Sequence, residues 1–95
     1  MTKQLIRGSE LPLNSEVLST SEFITVALDQ ISSTALAVKG SDEAEPVLTA
    51  MSDILELMCS LLKAKNIAPE FLFEHAEVLR NTEGTFEPKV AVTKE

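Results

Sequence analysis

The stretch "MSDILELMCSLL", residues 51–62, is the most apolar in the chain, yet it carries two carboxylates, Asp53 and Glu56, at i and i+3. On a helix that spacing puts both on one face. A helical phosphohydrolase holds Mg²⁺ on carboxylates of this kind, because the ion takes oxygen ligands in near-octahedral geometry and keeps some of its waters. Such a site needs further acids from a facing helix. Glu22 and Asp29, seven residues apart and so roughly on one helical face, are the candidates. Four carboxylates then converge if the register between two helices is right. The plainer reading makes Asp53, Glu56 and Lys63 the solvated edge of an apolar helix. Ser32, Ser33 and Thr34 favour it, because they stand mid-way along the first helix, where a metal site needs acids.

Other reactive groups are sparse. His75 is the only histidine, with Phe71 and Leu79 at i−4 and i+4. It is a candidate general base or ligand contact, or simply a half-covered surface histidine. Lys89 is a candidate phosphate contact. The single cysteine, Cys59, excludes an internal disulfide and any multi-cysteine metal site. Its neighbours Met58, Leu61 and Leu62 mark it as a small core residue. The chain has no phosphate-binding glycine loop, no H-E-x-x-H and no serine elbow.

The elements that must position these groups follow from periodicity. Residues 1–18 read as an extended arm that packs on the body, since Gly8, Pro12 and Asn14 break any period. Residues 19–39 read as a helix. Ser19, Thr20 and Ser21 offer caps, and Phe23, Ala27, Ile31, Ala35 and Val38 recur at helical spacing. Residues 40–45 are a polar loop. Residues 46–66 are the strongest helix, with Pro46 in its first turn and Asn66 as its cap. Residues 69–81 form a shorter helix opened by Pro69. In residues 82–95, Phe86, Pro88, Val90 and Val92 alternate with polar positions, which predicts a short edge strand or extended tail.

Short loops predict antiparallel neighbours. Met51, Ile54, Leu55, Met58, Leu61 and Leu62 make the second helix more apolar than one partner helix requires, so these residues are expected to form a subunit interface. The domain plan is an arm (1–18), a helical domain (19–81) and an extended tail (82–95). The expected fold is all-α: an antiparallel helical hairpin with a short third helix, completed as a dimeric or tetrameric helical bundle.

Size and charge set the frame. Ninety-five residues suffice for one small domain, and 44% apolar content without Trp or Tyr requires an aliphatic core. Fifteen acids against eight bases give a net charge of −7, which repels phosphate backbones and argues against direct nucleic-acid binding. No segment approaches a membrane span or a signal peptide, so a cytoplasmic protein is expected.

With the order of parts in view, "MSDILELMCSLLKAKNIAPEFLFEHAEVLRNTEGTFEPKVAV" resembles the C-terminal half of MazG-like nucleotide pyrophosphohydrolases, relatives of phosphoribosyl-ATP pyrophosphohydrolase. "SDILEL" is similar to that family's "ADVLEV" turn, which places Asp53 and Glu56 on its acidic positions. "NIAPEFL" is similar to its "GIS-EEL" link. "RNTEGTFEPKVAV" is similar to its Gly-Phe ending, with Gly84, Phe86 and Lys89 in place. "QLIRGSELP" looks like the "KLVRDKIP" start of one branch, with Gly8 replacing an Asp. The resemblance implies an α-helical dimer or tetramer that holds a nucleotide between helices, with Mg²⁺ on carboxylates. The chain departs from the pattern where the family's first metal helix carries E-E-x-x-E. "DQISSTAL" keeps only Asp29, and Thr49 and Ala50 replace the acids before Asp53. The expectation is therefore a divergent MazG-like protein with impaired catalysis that binds a nucleotide or a protein partner. Two alternatives stand beside it: an active Mg²⁺-dependent nucleoside triphosphate pyrophosphohydrolase, and a purely structural interaction adaptor.

Overall fold

The computed structural model describes residues 3–8 and 11–94. Met1, Thr2, Ser9, Glu10 and Glu95, which the arm and tail readings include, lie outside the described residues. Three helices run in order: α1 (Thr20–Ala37), α2 (Ala44–Ala64) and α3 (Pro69–Glu83).

Local chemistry accounts for each boundary. Ser19 caps α1, its hydroxyl accepting the Glu22 N–H at 3.3 Å, and Glu22 adds a negative charge at the positive end of the helix. The helix stops at Ala37, two residues before the expected Lys39. Val38 to Gly40 form a turn instead, with Gly40 at φ 81° and the Ser41 N–H donating to the Val38 carbonyl at 3.0 Å. α2 begins at Ala44 rather than Pro46, because the first turn of a helix has no use for the N–H that proline lacks. Its end is a Schellman motif. The Ile67 N–H donates to the Leu62 carbonyl at 2.8 Å and the Asn66 N–H to the Lys63 carbonyl at 3.0 Å. Asn66 sits at φ 63°, so its predicted capping role is observed in left-handed form.

The third helix and the tail correct the sequence reading. α3 starts at Pro69 as expected but runs through Glu83, past the predicted end at Asn81. The Thr82 hydroxyl donates back to the Val78 carbonyl at 2.9 Å, which keeps a turn-favouring residue inside the helix. Gly84, at φ 86° and ψ −168°, then ends it. The predicted edge strand does not form among the described residues. The Lys89 N–H donates to the Phe86 carbonyl at 3.0 Å and Lys89 adopts φ 62°, a turn that breaks the alternation. An edge strand needs a partner strand, and none of the described residues supplies one.

Packing is thin. α2 packs against α1 and, over a smaller area, against α3. Among the described residues only Ala27 and Ala50 are buried, at 0% and 6% exposure, and alanines contribute little apolar area. None of the larger apolar residues among those described is fully buried. Leu28 and Ile31 of α1, Met58, Leu61 and Leu62 of α2, and Leu72 of α3 line one apolar hollow of about 150 Å³. The predicted interface set therefore divides. Met58, Leu61 and Leu62 face that hollow, and Ile54 is half-buried. Met51 and Leu55 stay exposed at 44% and 42%, continuing with Leu48 as a bare stripe along α2. No described helix is long and apolar enough to cross a membrane.

Candidate functional site: a groove under the N-terminal arm

Residues 3–8 lie without helix or strand across α1 and α2 and are tied down at three points. At one end the Lys3 ammonium reaches Glu22 of α1 at 2.6 Å and Glu16 at 3.0 Å. In the middle, the Gln30 side chain pairs with the Leu5 backbone in both directions. Leu5 N–H donates to Oε1 at 2.7 Å, and Nε2 donates to the Leu5 carbonyl at 3.1 Å. This is one rung of a β ladder with a side-chain amide in place of the second strand. At the other end the Arg7 guanidinium reaches the Asp53 carboxylate of α2 at 2.6 Å. In an extended segment the side chains of residues i and i+4 share a face, which lets Lys3 and Arg7 reach the two helices together.

The anchoring carboxylates hold the arm cations in their charged forms. Hydrogen bonding to Glu22, then to Glu16, raises the Lys3 pKa above its ordinary value. Hydrogen bonding to Asp53 and its charge raise that of Arg7.

Between arm and helices lies an open groove of about 1100 Å³. Its acids are Asp29 from α1 and Asp53 and Glu56 from α2; its cations are Lys3 and Arg7, both from the arm. Ser33 and Thr34, which the sequence set against a metal site, line the α1 wall. Ser60 lines the α2 wall and donates its hydroxyl to Glu56 at 3.1 Å.

The predicted carboxylate set is thus brought part-way together. Asp29, Asp53 and Glu56 share the groove, while Glu22 stands at the Lys3 end and does not line it. Asp53 is engaged by a guanidinium, and among the described residues no three acidic, histidine or cysteine side chains approach closely enough to hold one ion. The donor set as arranged does not fit Mg²⁺, which needs several oxygens converging on one point. His75 on α3 and Lys89 in the tail are both exposed, and neither lines the groove. Cys59 is a half-buried free thiol on α2.

No protein-family model, no curated protein and no solved structure matches the chain. The groove must therefore be read from its own residues.

Lys3, Arg7 and Gln30 are the groove residues that sequence reasoning missed. A signal was present. Lys3, Leu5 and Arg7 form a basic-x-apolar-x-basic pattern of period two, the mark of an extended segment with one bonding side.

Proposed function

We propose that the chain is a divergent MazG-like helical protein that binds a nucleotide in the groove under its arm, works as a homo-oligomer, and has impaired catalysis. One observation carries the reading: a groove of about 1100 Å³ in which the acids stand on the helices and the cations on the arm. That volume is of the order that holds a small-molecule ligand, roughly 300–1,000 Å³. Among the described residues Lys3 and Arg7 are the cationic side chains lining it, so the phosphates of a bound nucleotide would meet the arm. Impaired catalysis is supported by Arg7 on Asp53 and by the lack, among the described residues, of a third converging carboxylate.

The oligomer is supported by what a single chain leaves bare. Two alanines are its only buried residues among those described, while Leu48, Leu36, Phe71 and Phe73 are each more than half exposed. A second copy on this surface gives the helices the core they lack, with α1 and α2 as an antiparallel hairpin in the joint bundle.

A screen of nucleotides by thermal shift, with and without Mg²⁺, tests the proposal. A raised melting temperature with at least one nucleotide is the expected result. No shift across the panel removes the nucleotide and leaves the structural adaptor. The active-enzyme alternative draws on Asp29, Asp53 and Glu56 sharing one groove, and requires Arg7 to release Asp53. Pyrophosphate release from a nucleoside triphosphate, abolished by Asp53→Ala, would establish it.

A further inference from the structure

Residues 3–7 meet the helices as a bound peptide meets a receptor. The two ends are fixed by opposite charge, and the middle is fixed through its backbone by Gln30, which reads extension rather than side-chain identity. The receptor surface lies wholly on α1 and α2. Among the described residues of the segment that joins the arm to α1, the Lys3–Glu16 pair is the one side-chain tie. Leu11, Leu13 and Val17 are 68%, 108% and 100% exposed, and a single turn between Pro12 and Ser15 is its only backbone hydrogen bond among those described. Residues 11–17 are thus exposed between arm and helix, and Leu18 is half-buried where the segment enters α1. The eleven residues 8–18, extended at about 3.3 Å each, reach roughly 36 Å, more than the 31 and 33 Å shorter dimensions of the molecule.

We propose that in the oligomer the arm is exchanged: Lys3, Leu5 and Arg7 of one copy seat on Glu22, Gln30 and Asp53 of the next, so that each groove is walled by two chains. The occupant is a second copy for two reasons. Its arm carries the basic-x-apolar-x-basic extended segment that the groove matches in charge and in backbone bonding. A second copy is also what the bare apolar stripe of α2 calls for. Exchange keeps every bond that the arm makes to the helices, and its cost is low because the exposed linker residues 11–17 give up little beyond the Glu16 pair and the Pro12–Ser15 turn. The inference rests on the homo-oligomer reading above and adds that the ligand groove is composite.

The test is cross-linking between Gln4 and Ser33, which line the same groove. In the full-length Cys59→Ser protein, one chain carries Gln4→Cys and another Ser33→Cys. The two are mixed, allowed to re-equilibrate and treated with a short flexible bis-maleimide. A third chain carries both substitutions. Exchange predicts a covalent heterodimer as the main product of the mixture and a linked dimer from the third chain. A third chain that closes on itself, with the mixture left uncrosslinked, overturns exchange. Light scattering on the same samples separates the two failures. An oligomer with only intrachain links contradicts exchange alone, whereas a monomer contradicts the oligomer as well.

Discussion

The Arg7 guanidinium and the Asp53 carboxylate, separated by 46 positions of chain, meet at 2.6 Å across the mouth of the α1–α2 groove. The carboxylate that the sequence offers as a metal ligand is thereby the anchor of an arm. The two side chains are 60% and 46% exposed, so water and salt screen their attraction. Arg7→Ala is therefore expected to leave global unfolding almost unchanged while freeing the arm. Amide exchange at Leu5 should accelerate in the variant, and high NaCl should produce the same acceleration in the wild-type protein. Slow exchange at Leu5 in Arg7→Ala would show that the arm is held by something else.

Gln30 holds the middle of the arm with one donor and one acceptor. Gln30→Glu keeps an acceptor for the Leu5 N–H and removes the donor to its carbonyl. A lost hydrogen bond of this kind costs about 1 kcal/mol. The expected readout is partial loss of arm protection in Gln30→Glu and complete loss in Gln30→Ala. Equal protection in the two variants would remove Gln30 from the account.

Lys3 gives the arm a pH limit. Its pKa is raised from the ordinary 10.5 by hydrogen bonds to Glu22 and then Glu16, so the folded state holds this proton more tightly than the unfolded chain. The sign follows: the contribution of Lys3 is fully present below 10.5 and is lost as pH climbs through the raised folded value. Arm protection measured by fluorescence from a probe at Gln4 should fall in that alkaline range, and Lys3→Arg should extend it to higher pH.

Helix ends offer a sharper stability contrast. Gly84 combines φ 86° with ψ −168°, a region open essentially to glycine. Gly84→Ala should cost about 1–3 kcal/mol at the end of α3, read by chemical denaturation. Asn66, at φ 63°, tolerates the left-handed region better than most residues, so Asn66→Gly should be neutral or stabilising and Asn66→Ala destabilising by about 1 kcal/mol.

The helices were legible in the sequence because capping and periodicity agree at each. Ser19, Pro69 and Asn66 mark boundaries that local chemistry alone enforces. Of the two readings of the tail, the edge strand fails, because alternation at Phe86, Val90 and Val92 describes a strand only where a neighbour supplies hydrogen bonds. Here Lys89 turns the backbone instead. The site was half legible. Asp29, Asp53 and Glu56 do share a groove, but charge counting along helices cannot show that Arg7 and Lys3, outside any helix, arrive to neutralise acids. Their contribution depends on a tertiary crossing, which no local period encodes.

The proposed oligomer rests on the exposed stripe of Leu48, Met51 and Leu55 and on a chain that buries only two alanines among its described residues. Size-exclusion chromatography with light scattering is the most direct test. The wild-type protein should elute at a dimeric or tetrameric multiple of its 10.3 kDa chain mass, and Leu55→Glu should shift it toward the single-chain mass. A folded wild-type monomer of 10.3 kDa at micromolar concentration would contradict the account.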